Sequence, residues 1–367
     1  QEDPVVHFYE TFLGEYNPAL RKARGVWYTP QPVVNFIVRA VDDILKTEFN
    51  LPQGLADTSK IKIKKKAVTQ SKGKDAKIKE VETEVEVHRV QILDPATGTG
   101  TFLAEVVKHI HKKFEGQQGI WSKYVTNDLI PRLNGFELLM ASYAMAHLKM
   151  DMLLTETGYK PQQFPSSGGV SEGRGGSFSG ETQRIKIFLT NSLEEAHPDS
   201  NTLFSSWLSD EADQANAIKR DAPVMVVIGN PPYSGESANK GEWIMNLMED
   251  YKKEPGGKEK LKERNPKMIN DDYVKFMRFG QHFIDKNGSG ILAFINPHGF
   301  LDNPTFRGMR WNLLKTYDKL YTIDLHGNSR KNEISPDGSV DQNVFDIMQG
   351  VKLSNNLLPL FCLFCIK

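Results

Sequence analysis

The sequence predicts an α/β protein built on a doubly wound, mostly parallel sheet, and three observations carry that expectation. Short apolar runs of strand length recur along the chain, among them "VQILDPA", "RIKIFLTN", "PVMVVIGN" and "GILAFIN". Stretches of helical period alternate with them, as in chains that cover both faces of a parallel sheet. The chemically unusual residues Asp94, Glu137, Asn191 and Asn230 each close an apolar run, and open α/β sheets collect their ligands at such carboxyl ends.

The elements follow in order. Residues 1–24 read as a short helical arm with a turn at Asn17-Pro18. "RGVWYTPQPVV" leads into a helix whose apolar period runs through Val33, Phe36, Ile37, Ala40, Val41, Ile44 and Leu45. Residues 57–90 look inserted: "KIKIKKK" and "EVETEVEVHRV" alternate apolar and charged residues around a Ser-Lys-Gly-Lys turn, the pattern of an exposed β-hairpin. Lysines dominate its first half and glutamates its second, so it is either a self-neutralising ribbon or an arm that tracks phosphates. Next come the strand "VQILDPA", a helix over 101–114, the strand "RLNGFE" and a helix over 138–154. A Gly/Ser-rich loop at 165–180 lies inside a second insertion, 158–183. The strands "RIKIFLTN" and "PVMVVIGN" precede a charged insertion, 234–270. A helix over 271–286, the strand "GILAFIN", a helix over 305–317, the strand "LYTIDL" and a last strand near "NVFDIMQG" complete the series. Residues 353–367 form an apolar tail without recognisable domain character.

Equal numbers of basic and acidic residues, 46 of each in 367, leave no net charge, so a case for a nucleic-acid partner has to rest on local patches. Cys362 and Cys365 form a CxxC without further cysteine or histidine beside it, a poor zinc ligand set. The apolar run from Leu357 to Ile366 is too short to span a bilayer, and the N-terminus lacks a signal-peptide pattern. A cytoplasmic protein is expected.

"ILDPATGTGTFL" delivers Asp94, Pro95, Ala96 and Thr97 into a turn through Gly98 and Gly100, where the missing side chains let a ligand approach the backbone before a helix begins. Glu137 closes the next strand, placed to accept from ribose hydroxyls or to meet a helix dipole. Two acids oppose a pyrophosphate, which favours a nucleoside without one. Asn191 can pair with an adenine edge or cap the segment that follows it. The run "VVIGNPPY" ends in Asn230, Pro231, Pro232 and Tyr233, and its strand is expected beside that of Asp94 at the switch point. An exocyclic amine is a poor nucleophile because its lone pair is delocalised. If Asn230 Oδ1 and the Pro231 carbonyl accept both amino hydrogens, the lone pair turns toward an electrophile, while Tyr233 offers a face for the base.

Taken together, "GVWYTP", "DPATGTG", "NGFE", "TNSL" and "NPPY" resemble the N6-adenine DNA methyltransferases that use S-adenosylmethionine, over roughly residues 25–351. "GFELLMASYAMAHLKM" and "NDDYVKFMRFGQHFI" are most similar to the methyltransferase module of single-polypeptide Type I-like restriction-modification enzymes. The resemblance implies a Rossmann-like class I methyltransferase domain over 25–352 and S-adenosylmethionine as cofactor. It implies double-stranded DNA as partner, with a target-recognition domain and a nuclease and helicase. Tyr28, Thr29 and Pro30 then match a cofactor lid, with Thr29 near the methionine carboxylate. Asp94 to Gly100 match the methionine loop, Glu137 the ribose acid, Asn191 the position near adenine N6, and Asn230 to Tyr233 the catalytic loop. Phe345 matches an aromatic against the flipped base. "YKKEPGGKEKLKERNPK" (251–267) and "HGNSRK" (326–331) are basic enough to meet DNA or simply to be solvated. Two alternatives stay open: methyl transfer to protein glutamine or RNA, and a cofactor-binding fragment without turnover.

Overall fold

The computed structural model describes residues 29–70, 78–161, 184–195, 206–233, 237–263, 266–325, 334–339 and 360–367. The expected arm (1–24), the Gly/Ser-rich loop (165–180), "HGNSRK" and the strand near "NVFDIMQG" lie outside them.

Helix α1 (Gln31–Thr47) starts immediately after Pro30, with Pro32 in its first turn, where a missing amide donor costs nothing. It buries Val33, Val34, Ile37, Val38, Val41 and Leu45, so the core stripe lies slightly to one side of the expected one. Phe36 is left partly exposed and meets Phe364 edge to face, with ring centroids 6.0 Å apart. Buried Asp42 fixes the helix, accepting the Leu55 amide at 2.7 Å and pairing with Lys46 at 2.6 Å and Lys113 at 2.7 Å.

Strands β1 (Lys60–Gln70) and β2 (Ile78–His88) form the inserted antiparallel hairpin. Its register sets Lys62 opposite Glu86 and Lys64 opposite Glu84. Direct cross-strand pairing of opposite charges supports the self-neutralising ribbon over the phosphate-tracking arm.

Among the described residues the main sheet has seven strands in the order β5-β4-β3-β6-β7-β9-β8. They are β3 (Gln91–Asp94), β4 (Leu133–Glu137), β5 (Lys186–Leu189), β6 (Val224–Gly229), β7 (Ile291–Pro297), β8 (Lys319–Asp324) and β9 (Leu360–Ile366). The pairs from β5 to β7 are parallel, and β9 runs antiparallel to both β7 and β8. The order reverses between β3 and β6, which creates the expected switch point. The run "LFCLFCI" supplies a strand inside the sheet rather than a loose end: Phe364, Cys365 and Ile366 are buried, and burial pushes the Cys365 thiol pKa up.

Helices α2 (Thr101–Lys112), α3 (Gln118–Tyr124) and α4 (Met140–Glu156) join α1 in the apolar layer on one face. The other face packs α5 (Ser206–Asp221), α6 (Glu242–Met248), α7 (Asp272–Asn287), α8 (Gly299–Asp302) and α9 (Arg307–Thr316). The sequence reading places no helix between β5 and β6, yet α5 lies there. It is mostly polar, and among its described side chains Ala215 and Ile218 enter the apolar core, too few for a clear helical period. Fully buried Arg132 fixes the approach to β4, donating to the carbonyls of Asp128 (2.7 Å) and Leu55 (2.6 Å) and to the Tyr124 hydroxyl (2.5 Å). Among the described residues no helix is long and apolar enough to cross a membrane.

Candidate active site

The carboxyl ends of β3, β4 and β6 bring most of the singled-out residues together. β3 is buried along its length and ends at Asp94, whose side chain is fully enclosed. Asp94 Oδ1 accepts from the Ala96 amide at 3.1 Å, while Oδ2 has no partner. Burial, opposed by that amide and reinforced by the charge of Glu137, pushes the Asp94 carboxyl up to about 8. The turn then closes on itself: Thr97 Oγ1 donates to the Asp94 carbonyl at 3.0 Å and the Gly100 amide donates to the Thr97 carbonyl at 2.9 Å. Gly98 and Gly100 take left-handed φ angles of 56° and 81°. A Cβ added at Gly98 would point into open space, so its side of the turn is free for a ligand.

Glu137 binds this turn to the next strand. One carboxylate oxygen accepts the Gly98 amide and the other the Leu139 amide, both at 2.7 Å. The acid is therefore built into the glycine turn. An orphaned carboxylate oxygen, an uncovered glycine turn and a second acid suit a ligand with hydroxyl and ammonium donors, and S-adenosylmethionine is of that kind.

At the end of β6, Asn230 is held from both sides. Its Nδ2 donates to Thr29 Oγ1 at 2.9 Å, and the Tyr233 hydroxyl donates to its Oδ1. Thr29, buried just ahead of α1, thus touches the asparagine of the NPPY run. Pro30 caps α1 by accepting the amides of Val33 and Val34 at 3.0 and 3.2 Å. Pro231 is buried, and Tyr233 is half-buried, in contact with the apolar layers on both faces of the sheet. Gly229 packs against the buried acid, since a Cβ there would meet Asp94 Oδ1 at 2.7 Å.

Asn191, beyond β5, has its amide engaged: Oδ1 accepts the Leu193 amide at 3.1 Å, and Nδ2 donates to Glu194 and Asn239, each at 3.0 Å. Its neighbour Ser192 reaches the Pro95 carbonyl at 2.5 Å. The sequence reading missed Lys219, a buried lysine on α5 that donates to the carbonyls of Asn191 (2.7 Å) and Glu194 (3.3 Å). Burial, opposed by Glu194, lowers its pKa to about 8. It also missed Ser237, Asn239, Asp272 and Lys275, for which the only sequence signal is "NDDYVK", an acidic helix start with a lysine one turn on. Tyr28 and Phe345 lie outside the described residues.

The basic segment 251–267 has part of its charge engaged in ion pairs where described. Arg307 pairs with both Glu254 and Glu263, and Lys252, Lys253 and Lys262 each pair with an acid one turn away.

Comparison with solved structures places the chain beside restriction-modification enzymes. It is similar to DrdV in a cryoEM DrdV–DNA complex, with 25% identity and a TM-score of 0.63 over 99% of this chain and 28% of that one. It is similar to the ATP-dependent Type ISP restriction-modification enzyme LlaBIII bound to DNA, with 23% identity and a TM-score of 0.66 over 99% of this chain and 20% of that one. A nuclease-deletion mutant of the Type ISP enzyme LlaGI, in complex with a DNA substrate mimic, gives 20% identity and a TM-score of 0.65 over 100% and 25%. The two Type ISP likenesses establish the fold. The chain spans less than a third of the length of each of these structures. No curated protein matches the sequence. A family model described as N-6 DNA methylase matches residues 1–77. The model of the Eco57I restriction-modification methylases matches residues 136–330, more than half of the chain, from the end of β4 through the NPPY run and past β8. This chain therefore belongs to the Eco57I restriction-modification methylase family.

Proposed function

We propose that this chain is the methyltransferase part of a restriction-modification enzyme and transfers a methyl group from S-adenosylmethionine to N6 of an adenine extruded from DNA. The observation that carries the reading is the Asn230 amide, oriented by two hydroxyls at the end of β6, directly beside the Asp94–Gly100 turn at the end of β3. S-adenosylmethionine, when bound, supplies an electrophilic methyl group on a sulfonium. The residues suited to hold it are Asp94, the turn through Pro95, Ala96, Thr97, Gly98 and Gly100, Glu137, and the lid positions Tyr28, Thr29 and Pro30.

Thr29 acts first by orientation. Because Asn230 Nδ2 is committed to the threonine hydroxyl, Oδ1 is the end that faces an incoming amine. An adenine amino group takes the place of the Tyr233 hydroxyl at Oδ1 and gives its second hydrogen to the Pro231 carbonyl. With both hydrogens accepted, the nitrogen lone pair is drawn out of conjugation and aims at the methyl donor; the N–CH3 bond would form as the S–CH3 bond breaks to a neutral thioether, and the surplus N6 proton would pass to solvent after transfer. Pro231 and Pro232 restrict the backbone that carries these acceptors. The freed Tyr233 ring offers a stacking face worth about 1–3 kcal/mol, which offsets part of the few kcal/mol that base extrusion costs. Phe345 is the second candidate for stacking, and Asn191 is a candidate for the base edge.

The partners that go with this reading are double-stranded DNA, a target-recognition domain, and a nuclease and helicase, in a cytoplasmic setting. Incubation with tritiated S-adenosylmethionine and unmethylated genomic DNA, followed by digestion, tests it. Label in N6-methyladenine is the expected result. Label in protein or RNA instead, with none in DNA, would overturn the DNA assignment.

A further inference from the structure

Asn230 and Tyr233 are only as well placed as the backbone on either side of them, and residues beyond them on the far side belong to a buried polar cluster away from the strand-end motifs. Seven residues past Asn230, Ser237 is 8% exposed; its hydroxyl donates to Asp272 Oδ1 at 2.5 Å and accepts from Lys275 Nζ at 2.6 Å. Asn239 donates to the same Asp272 oxygen at 3.0 Å, and its carbonyl accepts from Lys275. The Asn239 side-chain oxygen accepts from Asn191 Nδ2 at 3.0 Å. Asn191 is itself held by Lys219, and Ser192 is tied to the Pro95 carbonyl of the glycine turn.

The chain leaving the catalytic tetrapeptide is thus fastened to two bodies at once. One is the first turn of α7, through Asp272 and Lys275. The other is the loop after β5, which in turn holds the cofactor turn. Lys275 is only 1% exposed, and burial lowers its pKa against the opposing charge of Asp272. A buried ammonium and carboxylate are expensive to desolvate and weak as stabilisers when an apolar pair would fill the same space. They do fix geometry, because each donor direction is matched.

We infer that Asp272 and Lys275, acting through Ser237 and Asn239, are positioning residues for methyl transfer, holding the exit of the catalytic loop in register with the cofactor turn. The inference rests on the proposed reading of Asn230 as the amine-binding group. A displacement of about 1 Å at such a site costs about a hundredfold in rate, whereas cofactor binding at β3 and β4 does not depend on it.

The test uses the whole chain and compares wild type with Asn239→Ala, Lys275→Met and Ser237→Thr, the last retaining the bridging hydroxyl. Hydrogen exchange is followed in peptides covering Gly229 to Tyr233 and Ser237 to Lys240, together with thermal melting and the kcat and KM of transfer from tritiated S-adenosylmethionine to DNA. In Asn239→Ala and Lys275→Met, exchange in these peptides should quicken by about tenfold or more, kcat should fall by about tenfold or more, and KM for the cofactor should stay within about twofold. Ser237→Thr should behave as wild type. Asn239 lies on a half-buried loop, so its truncation spares the core even if Lys275→Met lowers the melting temperature. Unchanged exchange in Asn239→Ala would overturn the inference, as would quickened exchange with a wild-type kcat or a loss confined to KM. A wild-type chain that methylates no DNA would count against the proposed function alone, and the exchange measurement would then decide the clamp.

Discussion

Replacing Asp94 with asparagine should change the stability of this protein with a sign that depends on pH. The carboxyl is fully buried, one oxygen takes the Ala96 amide at 3.1 Å, the other has no partner, and its pKa rises from 3.8 to about 8. The folded protein therefore keeps a proton that the unfolded chain releases above its own pKa. Stability from this group is complete below that unfolded value, falls by about 1.4 kcal/mol per pH unit as the pH rises toward the folded value, and is level beyond it. Between about pH 4.5 and about pH 7.5 the wild type should lose about 4 kcal/mol on this account. Asparagine does not titrate, but its amide nitrogen in the place of the orphaned oxygen leaves a buried donor unsatisfied, at about 1–3 kcal/mol. The variant should then be equal to or slightly less stable than wild type near pH 4.5, and more stable by about 2–4 kcal/mol near pH 7.5. Urea unfolding of both proteins across that range, with matched m-values, measures the difference directly. A stability difference that stays constant with pH would refute the reasoning, because it would mean that Asp94 ionises alike in the folded and unfolded states.

Four further outcomes are expected. Asn230→Ala should reduce methyl transfer by more than about a hundredfold while leaving the calorimetric affinity for S-adenosylmethionine within about twofold, since it removes an acceptor needed only by the amine. Tyr233→Phe keeps the stacking ring and removes the hydroxyl that occupies Asn230 Oδ1, so transfer should persist at or above the wild-type rate, and a loss of more than about tenfold would show that the hydroxyl acts in the reaction itself. Glu137→Ala orphans the amides of Gly98 and Leu139 as well as removing the acceptor proposed for the ribose, and cofactor affinity by titration should fall by about tenfold or more. Gly135→Ala puts a methyl group 2.6 Å from Thr97 Oγ1 and 3.0 Å from Leu103 in the middle of β4, and should lower unfolding free energy by about 1–3 kcal/mol in urea titration.

What the sequence determined by itself is the part of the structure governed by local pattern. Period and punctuation predict α1, α2, α4, α7 and the strands β3 to β8, and their alternation predicts a doubly wound sheet, because an apolar stripe or run has to be covered and only a few layer arrangements cover it. The same local logic marks Asp94, Gly98, Gly100, Glu137 and Asn230: they sit at strand ends, where polar residues and glycines stand out against the apolar runs before them. The alternating lysines and glutamates of β1 and β2 likewise carry their own explanation once the register is known.

The tertiary structure alone decided contacts between residues far apart in the chain. The hydrogen bond from Asn230 to Thr29 spans 201 positions, and neither residue announces the other. Helix α5 was hidden because its sequence is mostly polar, without a clear apolar period, and β9 because "LFCLFCI" looks like a greasy end until it is seated between β7 and β8. Asp272 and Lys275 read as an ordinary charged helix start. They are buried against Ser237 and Asn239, distant in the chain, and the energy of a buried charge depends on what surrounds it in space rather than on its neighbours in sequence.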